Sequence, residues 1–448
     1  MLEVLAANEL KAQRTLNMVP SENAMAGVAK LPLLLDVHHR YFFNEGRVED
    51  RWHFRGAQDV AELESELVVP LLREMTRARH VTLRPLSGLS AMALTLAALG
   101  GPPGSTVVTV PLDLGGHYAT PRIAERMGLR VEFLRASDPH TLDLGGSAEV
   151  IGRLQPQLVY LDQSNCLFPI DVRPLVEAVR EVSPHTFVHV DTSHWLGLVL
   201  GGAFRNPLEA GADSFGGSTH KTFPGPQKAI VATDRDDVAE LLREAQDFLV
   251  SNHHLAASLS LGMALMQFAE FGQDYAARIV GGTRRFGTRL ADLGLPMIGA
   301  RRGFSAGHQL WLDTELLGIS AREASERLFA AGIRVNFLPD LPGFGAQQAV
   351  RIGLNEAVYR GFETEALDAL AEVFASAVKG EVSSRVLAAE VAELRREAAA
   401  PPARTGVDGL LLATALELCA TTLLEDETDS PQRALSALAA ATVGKEPV

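Results

Sequence analysis

Cysteine is nearly absent from this chain. Cys166 and Cys419 are the only two, too few for a disulfide framework or a zinc set. No apolar run reaches the roughly 18 residues that cross a bilayer. The opening residues, MLEVLAANELKAQR, lack the basic start, apolar core and small-residue cleavage site of a signal peptide. The expectation is a cytoplasmic protein without membrane contact. Positive charge is also scarce: 41 Lys and Arg stand against 55 Asp and Glu, a formal net charge of −14. Such a chain repels nucleic acid, and no basic stripe interleaved with aromatics offsets this. Small-molecule ligands are the better expectation. H-E-x-x-H and C-x-x-C are missing, so no metal site is expected. The stretch GGSTHKTFPGPQ (216–227) fails as a phosphate-cradling P-loop, because Ser-Thr-His separates Lys221 from the nearest glycine. It also fails as the G-x-S-x-G elbow of a hydrolase. The adjacent pairs His38-His39 and His253-His254 do not share a helix face, as a metal pair would need.

What is present is a large amount of core. With 448 residues, 47% of them hydrophobic, the chain exceeds one core and predicts two or more domains. From Val81 onward short β-rich runs alternate with helical patterns. Thr106–Leu112, Arg130–Ala136, Leu158–Ser164 and Thr186–Ser193 read as strands. They are near-continuously apolar and β-branched, as strands covered on both faces are. GLSAMALTLAAL and VRPLVEAVREV read as helices between them. The alternation predicts an α/β fold with a mostly parallel sheet. A long helix over Leu255–Leu293 leads into a smaller α+β region holding HQLWLDT, AREASERLFAAG and QAVRIGL. The tail from Glu363 is helical, broken by AAAPPARTG and by acidic EDETDSP.

Ligands of open α/β sheets bind beyond the carboxyl ends of the strands, and unusual residues collect there. His117 follows the first of these strands, Ser164 the third, Asp191 and His194 the fourth, and His220 and Lys221 the run ADSFGGST. Singly, Asp191 could be a helix cap and His117 a satisfied turn histidine. Together they point to a Schiff-base enzyme. A buried lysine with a depressed pKa condenses with pyridoxal 5'-phosphate, and an acid opposite the pyridine nitrogen keeps that ring an electron sink.

Four stretches, LNMVPSENA, DTSHWLGLVLGG, GGSTHKTFPGPQ and AVRIGLNEAVYRGF, lie in the order found in the serine hydroxymethyltransferase family of fold-type I pyridoxal phosphate enzymes, which the chain resembles from about Met18 to Ala375. The resemblance implies an aspartate aminotransferase-like fold and a homodimer with shared active sites. It implies an N-terminal arm (1–45), a large cofactor domain (46–275), a small domain (276–380) and a helical tail (381–448). Lys221 then carries the cofactor and Asp191 faces its ring nitrogen. His117 stacks on the ring, while His194 and Ser164 serve its 3-oxygen. Ser87, Gly88, Ser218 and His220 belong to the cofactor set, the first two in a phosphate turn at a helix N-terminus. Arg351 and Ser21 hold the substrate carboxylate, and Glu45 is an acid/base group.

Several stretches depart from the folate-using members. RWHFRG (51–56) replaces a paired-tyrosine stretch, VSNHHL (250–255) a glycine-rich loop, and NFLPDLPGFG (336–345) a folate loop. WHF, LDQS, STHKTFPGPQK, SNHH and FGQDYAARIV resemble the L-threonine transaldolases of natural-product pathways. That resemblance implies folate-free cleavage of threonine to acetaldehyde and addition of the glycyl carbanion to an acceptor aldehyde. The β-hydroxyl base is then Glu45, His53 or His194, with Glu45 and His53 ranked first; His253 and His254 have the weaker case for touching phosphate or acceptor. A folate-dependent hydroxymethyltransferase and an oxygen-using decarboxylase on the same fold are the alternatives.

Overall fold

In a computed structural model the described residues are 1–42, 54–339, 341–343 and 348–398, with 409, 412–413, 415–417 and 419–420 beyond them. The main body is a seven-stranded sheet. Its strands are β1 (His80–Thr82), β2 (Thr106–Thr109), β3 (Arg130–Phe133), β4 (Leu158–Asp162), β5 (Phe187–Asp191), β6 (Ser214–Ser218) and β7 (Ala229–Thr233). The spatial order is β1-β7-β6-β5-β4-β2-β3. Pairing is parallel from β3 through β6, and β7 runs antiparallel to both its neighbours. β2, β4, β6 and β7 are buried along their whole length, which is why they read as unbroken apolar runs.

The strands are shorter than their sequence patterns. β2 stops at Thr109, two residues before Pro111, which has no N–H to give a ladder. The run Arg130–Ala136 divides into β3 and a separate two-stranded hairpin formed by Arg135–Asp138 and Thr141–Asp143. The helices Gly88–Leu99 and Val172–Val182 follow the two apolar patterns named for them.

A three-stranded antiparallel sheet forms the second body, with β8 (Gln309–Leu312) and β9 (Asn336–Leu338) flanking β10 (Ala349–Gly353). The sequence pattern missed β9, whose Pro339 neighbour masks it. The helix Leu255–Asp292 has 38 residues and is long and apolar enough to cross a membrane by length and composition, yet 67% of its most apolar window is buried inside the protein. It runs unbroken through residue 275. Its buried side includes Leu261, Phe268 and Tyr275 in one half and Ile279, Phe286 and Leu290 in the other, all in one core cluster with residues of both sheets.

Candidate active site

The chain runs from β2 to β3 on one side, then crosses back to β4 on the other. The direction of winding therefore reverses between β2 and β4, and the crevice at such a reversal is where α/β sheets bind ligands. A cavity of about 300 Å³ opens there, lined among others by His117, Asp162, Ser164, Asp191, His194 and Lys221. Its remaining wall includes Ser87, Gly88, Ser218 and His220.

Lys221 lies just past β6, and burial lowers its amine to about 8, with Asp191 opposing the shift and Arg351 adding to it. About a tenth to a fifth of the amine is thus neutral near physiological pH, far more than for an ordinary lysine. Its backbone carbonyl is held by Asn23 Nδ2 at 2.6 Å and by Asn355 Nδ2 at 3.3 Å. Asp191 ends β5. Its Oδ2 accepts from the Tyr160 hydroxyl at 3.0 Å and its Oδ1 from the Ser193 N–H at 2.8 Å. Burial first, then the charge of Asp191, pushes the Tyr160 phenol well above its ordinary range, so it stays a donor.

Two glycines in and beside the cavity wall have no room for side-chain carbon. A Cβ on Gly88 would lie 2.2 Å from Ser218 Oγ, and one on Gly217 2.4 Å from Ser193 Oγ. Gly217 also adopts φ +138°, a conformation other residues rarely reach. Ser87 caps the helix Gly88–Leu99 by accepting from Ser90 N–H at 3.2 Å, and Ser90 Oγ accepts from Ser87 N–H at 2.7 Å. His220 lines the cavity with a buried Nδ1 that has no hydrogen-bond partner among the described residues. Burial, with Lys221 beside it, lowers His220 to about 4.

Arg351, on β10, comes from the smaller sheet. Its Nε donates to Gln309 Oε1 at 2.8 Å and one Nη to the Ser164 carbonyl at 2.6 Å. Gln309 Nε2 donates to the same carbonyl at 2.9 Å. Next to this cluster His194 Nδ1 faces His308 Nε2 at 3.2 Å with the rings stacked. Burial holds both far below the usual histidine range, assisted at His194 by Lys221 and Arg351 and at His308 by Arg351 and Lys221. Two neutral imidazoles therefore sit beside a permanent cation.

Residues from two sheets converge on one buried lysine, in a chain similar over most of its length to known proteins. An L-threonine:uridine-5'-aldehyde transaldolase of a Streptomyces species is 43% identical over 403 residues, covering 90% of this chain and 93% of the relative. The chain belongs to the L-threonine transaldolase family. A serine hydroxymethyltransferase of Archaeoglobus fulgidus is 34% identical over 385 residues, 84% of this chain and 86% of that one. Among solved structures, an L-threonine transaldolase from Pseudomonas fluorescens in its internal aldimine state superposes with a TM-score of 0.81 at 25% identity, covering 93% and 96% of the two chains. No protein-family model matches the chain.

As a member of this family the chain has the pyridoxal-enzyme fold of type I. The donor set at the cavity fits the phosphorylated pyridine cofactor: a buried amine of lowered pKa, a carboxylate in the same cavity, and a helix N-terminus beginning at Gly88 where an oxyanion would meet Ser87, Ser218 and His220. Of the residues expected from sequence, Lys221, Asp191, His117, His194, Ser164, Ser87, Gly88, Ser218 and His220 line the cavity, and Arg351 borders it through His194. Ser21 is half-buried and is not among the lining residues. Glu45 and His53 lie outside the described residues. His253 turns away to Glu64, whose carboxylate it meets at 2.8 Å. Sequence reasoning missed Asn23, Tyr160, Asp162, His308, Gln309 and Asn355. Only Asp162 had a signal, in the stretch LDQS.

Proposed function

We propose that this transaldolase-family chain is a pyridoxal phosphate-dependent L-threonine transaldolase. It breaks the Cα–Cβ bond of L-threonine, releases acetaldehyde, and joins the remaining glycyl unit to an acceptor aldehyde, giving a β-hydroxy-α-amino acid. The observation that carries this reading is Lys221: a buried amine lowered to about 8, in a cavity shared with Asp191 and bordered by Arg351. When bound, the cofactor supplies an electron sink for the pair left on Cα.

The chain's own residues do the rest. Arg351 grips the substrate carboxylate and so fixes which bond to Cα stands ready to break. Asp191 holds its negative charge against the ring nitrogen, with both oxygens already oriented by Tyr160 and Ser193. His117, Ser164 and His194 hold the ring, and Ser87, Gly88, Ser218 and His220 hold the phosphate. Lys221, its amine lowered to about 8, accepts and returns protons at its Nζ. Removal of the β-hydroxyl proton falls to Glu45 or His53 first. His194, kept neutral beside Arg351, is better suited to accept a hydrogen bond than a proton. Closure of the cavity against water protects the Cα position from protonation that would release glycine. We assign the working form to a cytoplasmic homodimer with shared sites. The N-terminal helix Leu2–Gln13 supports this by exposing Leu2, Val4, Leu5 and Leu10 to between 58% and 82%.

The test supplies the holoenzyme with L-threonine and no folate, then adds an aldehyde. Uridine-5'-aldehyde, named for three relatives, is the first to offer. Acetaldehyde release together with a new β-hydroxy-α-amino acid by mass spectrometry is expected. Turnover of serine or glycine only when tetrahydrofolate is present would instead make it a hydroxymethyltransferase. Light scattering after gel filtration reads the dimer.

A further inference from the structure

The cavity's His117 sits on residues 110–118, between β2 and the helix Ala119–Arg126, a stretch with one short 3-10 turn at Leu112–Leu114. The segment makes turn contacts of its own: the Gly116 N–H donates to the Pro111 carbonyl at 3.0 Å and the Ala119 N–H to His117 Nδ1 at 3.2 Å. It is anchored from outside by residues 162–165, at the end of β4 and just beyond it, on the other side of the winding reversal. Gln163 Nε2 donates to the Leu114 carbonyl at 3.0 Å. The N–H groups of Ser164 and Asn165 both donate to the Gly115 carbonyl, at 2.9 and 3.2 Å. Asp162 completes the set, and it reaches His117 directly: its carboxyl accepts the His117 backbone N–H and the Thr120 hydroxyl, with the Thr109 hydroxyl at 3.4 Å. The approach is so close that a Cβ on Gly115 would lie 1.9 Å from the Asn165 carbonyl oxygen.

Asp162 pairs in register with Asp191 across β4 and β5, is 3% exposed, and lines the cavity. A second anion there would compete with Asp191. Burial pushes the Asp162 carboxyl well above the carboxylate range, with the Thr120 hydroxyl opposing the shift and the charge of Asp191 adding to it. A hydrophobic residue would fill the volume equally well but leave the His117 N–H and two buried hydroxyls without an acceptor. The geometry points to Asp162 as a positioning residue that sets the orientation of the His117 ring toward the bound cofactor, a role that rests on the cofactor reading and not on which aldehyde is used.

The experiment uses holoenzyme and reads the cofactor, not turnover. Asp162→Ala, Asp162→Asn, His117→Ala and the double variant Asp162→Ala/His117→Ala are compared by dissociation constant for pyridoxal phosphate and by the visible circular dichroism that the protein imposes on it. Thermal unfolding of each apo variant reports stability separately. Asp162→Ala is expected to weaken cofactor binding about tenfold, the scale of one or two lost buried hydrogen bonds, and to reduce the dichroic band to the level of His117→Ala. The double variant should be no worse than His117→Ala alone, because both changes remove the same ring from the same place. Asp162→Asn keeps an acceptor oxygen without charge and should recover most of both signals. If Asp162→Ala fails to fold, Thr120→Val replaces it and should reduce the band in the same direction. A wild-type band and affinity in Asp162→Ala, or fully additive losses in the double variant, would overturn the proposal. So would a wild-type chain that takes up no pyridoxal phosphate. Failure to release acetaldehyde from threonine, with these cofactor signals intact, would sink the transaldolase reading and leave this one standing.

Discussion

At the scale of single residues, the chemistry depends on lowering the pKa of one amine. An ordinary lysine near 10.5 gains reactivity across the whole range from neutral to alkaline pH, whereas Lys221 at about 8 gains it only up to that point. Capture of pyridoxal phosphate by the apo chain should therefore accelerate with pH up to about 8 and then level. Stopped-flow absorbance measures this, and a rate still climbing at pH 10 would contradict the assigned environment. Arg351 is the matching cation. Its Nε and one Nη are fixed by Gln309 and the Ser164 carbonyl, a planar arrangement that an ammonium group cannot copy. Arg351→Lys should raise KM for threonine about 30- to 100-fold, the scale of one or two charge-assisted hydrogen bonds, with a smaller effect on kcat. A KM within threefold of wild type would show that the carboxylate is held elsewhere.

At the scale of elements, the strand ends were legible because burial on both faces leaves an apolar run, and the residues that break the run stand out. Asp191 after VHV and Lys221 after FGGST could be read that way. The partners that orient them could not. Asn23 reaches the Lys221 carbonyl from 198 positions away, and Asn355 reaches it from 134 positions away. Such contacts arise only when two sheets are packed, and no local pattern encodes them. His308 and Gln309 looked like part of an ordinary half-buried strand, because their meaning comes from His194 and Arg351 across the interface. The helix boundaries were readable where Ser and Asp caps mark them: Ser87 and Asp171 sit one residue before their helices and accept their N–H groups. The end of β6 and the loop that follows it yield their own prediction. Gly217→Ala places a methyl 2.4 Å from Ser193 Oγ and 2.8 Å from Asp191 Oδ1 at φ +138°. It should destabilise the fold by about 1–3 kcal/mol and weaken cofactor binding as Asp191 shifts. Urea unfolding with cofactor titration checks both, and a neutral result would mean that the strand end has slack.

At the scale of the whole molecule, a second buried cation lies away from the site. Lys228 is 1% exposed, donates to the His253 carbonyl at 2.7 Å, and is lowered to about 8 by burial, with Glu64 opposing. Glu64 in turn meets the His253 ring. A lysine whose folded pKa lies below its unfolded value is protonated more fully in the unfolded chain between about pH 8 and 10.5. Stability therefore rises with pH across that window. Below pH 8 the penalty is constant. In the apo chain both Lys221 and Lys228 contribute, each up to about 1.4 kcal/mol per pH unit. Lys228→Met should remove about half of their combined slope between pH 8.5 and 9.5. Urea midpoints across pH provide the measurement, and an unchanged slope would place the titration elsewhere.

The helix Leu255–Asp292 is about 57 Å long at 1.5 Å per residue. Tyr275 at its middle donates to the Thr222 carbonyl beside Lys221, and Phe286, further along, packs on Phe374. Neither sheet keeps a complete core without it. A protease cut or a stop codon near residue 275 would not liberate a working half but would open two seams at once. Calorimetry should accordingly record one endotherm for the whole assembly, and a gene for this enzyme would resist being split and recombined at the point where its two bodies meet.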